Sequence, residues 1–124
     1  VDDSPGARQV VAGVLASNGF DTTIAGGVAD AIACLTESPC DALVVDYSMP
    51  EADGIALVGE VRERFGSLPI VMLSGVATPN DQSRARAAGV DAYFDKADFR
   101  EGALAATLRS LIAARNARAE VMQR

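Results

Sequence analysis

The sequence predicts a single α/β domain in which helices cover both faces of a parallel β-sheet. Helical and extended hydrophobic patterns alternate along the whole chain of 124 residues. One extended segment, residues 69–73, is apolar at every position, as is typical of a parallel strand that is buried on both faces. A chain of this length forms one domain, so residues 1–124 are treated as a single unit.

Five segments have apolar residues at helical spacing and are bounded by capping residues, glycine or proline. Pro5 follows a capping serine, and Thr78-Pro79-Asn80-Asp81 resembles a capping box. The predicted helices cover residues 5–17, 28–37, 54–65, 79–88 and about 101–115, and the extension of the last into the tail 116–124 stays open.

Four strands are predicted between these helices, at residues 20–25, 42–45, 69–73 and 90–94. The chain begins at Val1-Asp2-Asp3, so a further strand expected before Asp2 is largely absent from the sequence. That strand would be central in the sheet. We therefore expect its two neighbours to lack hydrogen-bond partners, and we expect the sequence to belong to a longer protein.

Composition excludes several functional classes. The net charge of −6 disfavours direct nucleic-acid binding, which needs clustered Lys and Arg. No apolar run approaches the roughly 20 residues of a membrane-spanning helix. Cys34 and Cys40 have no histidine to pair with, so a zinc site or a Cys-His nucleophile is not expected. Two reduced thiols and no visible signal peptide favour a cytoplasmic domain.

Polar side chains stand at the ends of the predicted strands. Asp46 follows the apolar run 42–45, Ser74 and Lys96 end two later runs, and Asp2-Asp3 opens the chain. In a sheet of this kind, ligands bind beyond the carboxyl ends of the strands. These side chains are therefore expected to meet at one edge of the sheet.

This set of residues suits phosphoryl transfer to Asp46. A carboxylate can attack phosphorus and form an acyl phosphate, provided that cations and donors balance the charge. Three carboxylates, a backbone carbonyl and waters suit Mg²⁺. Lys96, the only lysine in the chain, would contact the phosphoryl group as a point charge, and Ser74 would donate a hydrogen bond to it.

The chain resembles the receiver domain of two-component response regulators from Val1 to about Ile112. The resemblance is carried by the acidic pair Asp2-Asp3, by VVDYSMPEADG around Asp46, by Ser74 after the fourth strand and by YFDK ending at Lys96. It implies a flavodoxin-like, five-stranded sheet of order 2-1-3-4-5. It also implies that catalysis is limited to phosphorylation and dephosphorylation of the domain itself.

The resemblance also implies residue roles and partners. Asp46 would accept phosphate from a histidine kinase or phosphotransfer protein, and Ser74 with Tyr93 would switch conformation. Phosphoryl contacts would come from Ser74 and Lys96. A downstream protein would bind the face of the fourth helix, fifth strand and final helix. The implied ligands of Mg²⁺ (or Mn²⁺) are Asp2, Asp3, Asp46 and the backbone carbonyl of Ser48.

Tyr93 is expected to point to the opposite sheet face from its neighbours Ala92 and Phe94, because side chains alternate along a strand. From there its ring could move inward when Ser74 is drawn toward a phosphate. Position 97 departs from the family, which usually has a cis proline after the lysine. Since a non-proline cis peptide costs about 3 kcal/mol, we expect a trans bond before Ala97, a different path for the loop from Asp95 to Arg100, or an unusually constrained bond. Phe99, three residues after Lys96, resembles receivers associated with chemotaxis-type kinases.

Two other functions stay open. A haloacid dehalogenase-type phosphatase would use Asp46 as nucleophile, but it needs a general acid two residues later, where this chain has Ser48. An unphosphorylated docking module would keep the fold alone. The full set of polar residues argues against the docking module, whereas Ala97 and the missing strand leave it open.

Overall fold

The computed structural model describes residues 1, 5–47, 54–74, 79–96 and 101–122. From residue 28 onward the chain alternates helices and strands as predicted, whereas the first two helices follow one another without a strand between them. Its elements are α1 (Pro5–Ser17), α2 (Val28–Glu37), β1 (Leu43–Asp46), α3 (Gly54–Phe65), β2 (Ile70–Ser74), α4 (Pro79–Ala88), β3 (Ala92–Asp95) and α5 (Glu101–Met122). All five predicted helices form, and the last one continues to Met122. None of the helices in the described ranges combines the length and the apolar character needed to cross a membrane.

The three strands form a parallel sheet of order β1-β2-β3. All five residues of β2 are buried, which confirms the prediction of a strand covered on both faces. The pairing aligns Asp46 with Leu73 and Ser74 with Asp95. The carboxyl ends of the strands therefore meet at one edge, as the position of the polar residues predicted.

Two apolar cores lie on opposite faces of this sheet. Val45 and Met72 pack in one core with residues of α2 and α3, together with Ala85 of α4. Val71 points the other way, into a core with Leu15 of α1 and side chains of α5. Helices thus cover both faces, and the period of two along β2 divides its side chains between them.

The prediction of a strand at residues 20–25 is wrong for the described structure, because this segment has no strand pairing. Val1 lies beside β1: its nitrogen donates to the carbonyl of Val44, and its carbonyl accepts the N–H of Asp46 at 2.8 Å. A cavity of about 560 Å³ is lined both by residues 20–25 and by β1. The segment has no neighbouring strand to pair with, so three strands form within the described ranges instead of five.

At the amino end of the sheet, the guanidinium of Arg62 joins three stretches of chain. It forms an ion pair of 2.7 Å with Asp91, whose carboxylate also accepts the N–H of Ile70 at 2.8 Å. The same guanidinium donates to the backbone carbonyls of Gly66, Leu68 and Gly89. Because Arg offers five donors in a planar fork, one side chain of α3 fixes the chain before both β2 and β3.

Candidate functional site

Asp46 ends β1 at the carboxyl edge of the sheet, where its side chain is only 7% exposed. The ammonium of Lys96 lies 3.0 Å from its Oδ1, an ion-pair contact rather than an aligned hydrogen bond. Lys96 follows β3 directly, and its N–H donates to the carbonyl of Ser74 at 2.7 Å. A buried carboxylate thus faces a cation that is itself 37% exposed, so the ammonium contacts both Asp46 and the solvent.

Ser74 lies between these two residues at the end of the central strand, and it is 2% exposed. It is the only polar residue of β2. Its neighbours across the sheet are the ends of β1 and β3, because Leu73 pairs with Asp46 and Ser74 pairs with Asp95. The structure therefore brings Asp46, Ser74 and Lys96 to the same edge of the sheet.

Gly54 is a residue of this edge that sequence reasoning missed as part of the site. A Cβ at this position would lie 2.3 Å from the backbone oxygen of Asp46 and 3.1 Å from the Met72 side chain. The first residue of α3 therefore packs directly against the end of β1. The sequence shows only a glycine at a helix start, and that pattern carries no information about which strand lies beside it.

Tyr47, the residue after Asp46, was also missed. Its hydroxyl donates to the carboxylate of Asp81 at 2.8 Å and accepts a hydrogen bond from Arg84 at 3.1 Å. Both partners lie on α4, more than 30 residues away in the chain, so the only sequence signal was an aromatic residue with a hydroxyl directly after Asp46. The contact joins the end of β1 to α4.

Tyr93 points to the sheet face covered by α3 and α4, whereas Ala92 and Phe94 pack on the face covered by α1 and α5. The predicted alternation is confirmed. The Tyr93 hydroxyl is buried and has no hydrogen-bond partner among the described residues. Since burying such a hydroxyl has a free-energy cost, the present position of this ring is not stabilised at its polar end.

Several predicted site residues, namely Asp2, Asp3, Ser48 and Ala97, lie outside the described residues. The metal-ligand prediction and the trans peptide prediction therefore stay predictions. The described part of the chain contains no group of three or more metal-ligating side chains. Of the predicted metal ligands, the described residues include the carboxylate of Asp46, a hard oxygen donor of the kind that Mg²⁺ prefers. Val1 is hydrogen-bonded to Asp46 and directly precedes Asp2, another predicted ligand. This one described donor, the Asp46 carboxylate, is of the type that suits a hard cation.

Both cysteines are free thiols. Cys40 donates a hydrogen bond from Sγ to the carbonyl of Ala42 at 3.2 Å. The protein around Cys40 removes part of its hydration, which raises the pKa of the thiol. At neutral pH Cys40 is therefore a weak nucleophile.

Comparison with known proteins agrees with this geometry. Residues 1–109 match the family described as the response regulator receiver domain. An uncharacterized 14.6 kDa protein of Leptolyngbya boryana is 34% identical over 98 residues, which cover 77% of this chain and 75% of that protein. The response regulator Rre1 of Synechocystis is 32% identical over 120 residues, covering 94% of this chain. This match spans 52% of Rre1, so Rre1 is a longer protein.

Among solved structures, the chemotaxis protein CheY4 of Vibrio cholerae is similar over most of its length. The TM-score is 0.81 at 28% sequence identity, and the match covers 89% of this chain and 92% of that one. The flavodoxin-like α/β fold is therefore shown, although the sheet described here has three strands. Fold, family match and the residues at the sheet edge agree, and the chain belongs to the response regulator receiver domains of two-component signalling.

Proposed function

We propose that the chain is a phosphoacceptor whose Asp46 takes a phosphoryl group from a histidine kinase or a phosphotransfer protein. The observation that carries the proposal is the ion pair between Asp46 and Lys96 at 3.0 Å. A carboxylate held at the end of a buried strand, beside a half-exposed cation and a buried serine, has the parts that an aspartyl-phosphate site needs.

In the reaction, an oxygen of the Asp46 carboxylate attacks phosphorus and forms the acyl phosphate. The bond between phosphorus and the donor breaks, and the leaving group keeps its electron pair. Lys96 then shifts its ammonium from the carboxylate to a phosphoryl oxygen, which a flexible lysine can do as a point charge. Ser74 donates its hydroxyl to another phosphoryl oxygen. Attack by water on phosphorus later restores the carboxylate and releases inorganic phosphate.

Mg²⁺ or Mn²⁺, held by Asp2, Asp3, Asp46 and the backbone carbonyl of Ser48, would supply positive charge to the phosphoryl oxygens. The state of Asp46 would pass through Ser74 and Tyr93 to a protein partner on the face of α4, β3 and α5. We further propose a cytoplasmic domain that acts through protein partners rather than on nucleic acid or an outside substrate.

The test is phosphorylation of the purified chain by acetyl phosphate with Mg²⁺, followed by intact-mass measurement. We expect a gain of one phosphoryl group that disappears in Asp46→Asn and in the presence of a chelator. Asp41→Asn is the matched control, because Asp41 is an exposed carboxylate five residues earlier. A mass gain that survives Asp46→Asn would remove Asp46 from this role.

The two other functions give different results in the same experiment. A wild-type chain that folds but takes no phosphoryl group would favour the docking module. Steady turnover of a phosphomonoester that is lost in Asp46→Asn would favour the phosphatase, which we do not expect because Ser48 occupies the position of the general acid.

A further inference from the structure

We propose that Tyr47 is a positioning residue that holds α4 in its unphosphorylated position, so that α4 must leave Tyr47 before Asp46 is stably phosphorylated. The inference rests on the proposed phosphorylation of Asp46 and adds a residue outside the predicted Ser74–Tyr93 switch. Its basis is the pair of hydrogen bonds that the Tyr47 hydroxyl makes with Asp81 and Arg84.

The backbone of Tyr47 is fixed on both sides. Its N–H donates to the carbonyl of Leu73 in β2 at 2.8 Å, and its carbonyl accepts the N–H of Gly54, the first residue of α3, at 2.9 Å. The ring is half-buried against the core shared with α3. Tyr47 is therefore part of the rigid sheet edge, one peptide bond from the acceptor.

The hydroxyl of Tyr47 both donates and accepts a hydrogen bond. It donates to the Asp81 carboxylate at 2.8 Å, in the first turn of α4, and accepts from the Arg84 guanidinium at 3.1 Å. Asp81 and Arg84 are three residues apart and so lie on the same side of the helix. Hydrogen bonds to charged groups are stronger than neutral ones, so this contact is a substantial link between the sheet edge and α4.

The apolar anchoring of α4 is small. Ala85 is its only buried residue, and seven of its ten residues are exposed. A single alanine contributes little apolar burial. The hydrogen bonds to Tyr47 therefore add a polar anchor to a helix with little apolar burial, and their loss is expected to change the position of α4.

The place of α4 in the chain connects it to the site. Four residues, 75–78, separate Ser74 at the end of β2 from Pro79 at the start of α4. The helix is thus flanked by Ser74 along the chain and by Tyr47 across space. If phosphorylation draws Ser74 toward the acceptor, a shift of α4 has to break the Tyr47 contacts, because the backbone of Tyr47 is fixed. Two states that differ in this contact respond to its removal by a change in population.

The experiment measures the initial rate of phosphorylation by acetyl phosphate with saturating Mg²⁺. We expect Tyr47→Phe to be phosphorylated several-fold faster than the wild type, up to about tenfold. Removing about 1.4 kcal/mol of stabilisation from one of two states changes their population ratio tenfold. Arg84→Gln, which removes one of the two partners, should shift the rate in the same direction by less. Arg86→Gln is the control, because it removes an exposed positive charge from the same helix and leaves the contact intact.

A merely structural tyrosine would lower thermal stability without accelerating phosphorylation, so the melting temperature is measured on the same samples. An unchanged or slower rate in Tyr47→Phe, with the wild type phosphorylated normally, overturns the inference and leaves the proposed function standing. If Tyr47→Phe does not fold, Arg84→Gln against Arg86→Gln decides in the same way. A wild type that takes no phosphoryl group overturns both proposals.

Discussion

The two ends of the parallel sheet each carry an ion pair, but they use different cations. At the amino end, Arg62 meets Asp91 at 2.7 Å, with side chains 23% and 36% exposed. At the carboxyl end, Lys96 meets Asp46 at 3.0 Å, and here the cation is 37% exposed while the carboxylate is 7% exposed. The carboxylate is the more exposed partner at the amino end, whereas the cation is the more exposed partner at the carboxyl end.

The two ion pairs differ in what their cations can do. The planar guanidinium of Arg62 donates to fixed backbone carbonyls as well as to Asp91. Its geometry therefore holds the loops before β2 and β3 in place. Lysine is a compact charge on a flexible stem, and it can follow an oxygen that moves. A buried carboxylate facing such a cation is a better sign of chemistry than the presence of opposite charges.

The largest effect is expected for substitution of Gly54, which would disrupt the packing at the carboxyl end of the sheet. Alanine there needs a Cβ 2.3 Å from the Asp46 backbone oxygen, so the start of α3 must shift. We expect Gly54→Ala to lower the free energy of unfolding by about 3 kcal/mol and to impair phosphorylation, as measured by denaturant unfolding and mass spectrometry. Gly59→Ala, on the same helix with open space around it, should be neutral or stabilising by up to about 1 kcal/mol. Equal losses in both would contradict the clash.

The next largest effect is expected for Arg62→Ala, which removes the guanidinium that joins three stretches of chain at the amino end of the sheet. Leaving Asp91 and several carbonyls without their donor should cost about 2–3 kcal/mol of unfolding free energy. The control is Arg64→Ala, two residues away, whose guanidinium makes an exposed i,i+4 pair of 3.1 Å with Glu60 and should contribute less than about 1 kcal/mol. At a temperature where both variants are folded, phosphorylation should match the wild type. Loss of phosphorylation in folded Arg62→Ala would show that the two ends are coupled.

The smallest effect on stability belongs to Lys96→Met. Because Lys96 is 37% exposed, solvent screens the pair, and its removal should change the free energy of unfolding by about 1 kcal/mol or less. Phosphorylation, in contrast, should be strongly reduced. A double-mutant cycle with Asp46→Asn, measured at low and high salt, isolates the coupling. A coupling energy of several kcal/mol between Lys96 and Asp46 that does not change with salt would mean that Lys96, like Arg62, mainly stabilises the fold.

The sequence predicted the fold well where the signal was local. The five helices followed from apolar spacing and end signals, and the doubly buried strand followed from the run 69–73. The meeting of Asp46, Ser74 and Lys96 followed from the rule that parallel strands end at the same edge. These predictions required only periodicity and the direction of the strands.

What the sequence could not supply depends on neighbours that are distant along the chain. Residues 20–25 have a strand-like composition, but a strand requires a hydrogen-bonded partner. The contacts of Tyr47 with α4 and the closeness of Gly54 to Asp46 depend on how helices pack on the sheet. No local pattern encodes those distances, which is why both residues were missed as parts of the site.

The contacts of Arg62 also affect which parts of the domain unfold locally. One guanidinium connects α3, the turn at Gly66, the entry to β2 and the segment that begins β3, so these segments cannot separate without losing its bonds together. They should behave as one cooperative unit with a high opening free energy. Residues 20–25, with no strand pairing, should open far more easily. In hydrogen exchange, the segments joined by Arg62 are thus expected to exchange their amides late, and residues 20–25 early.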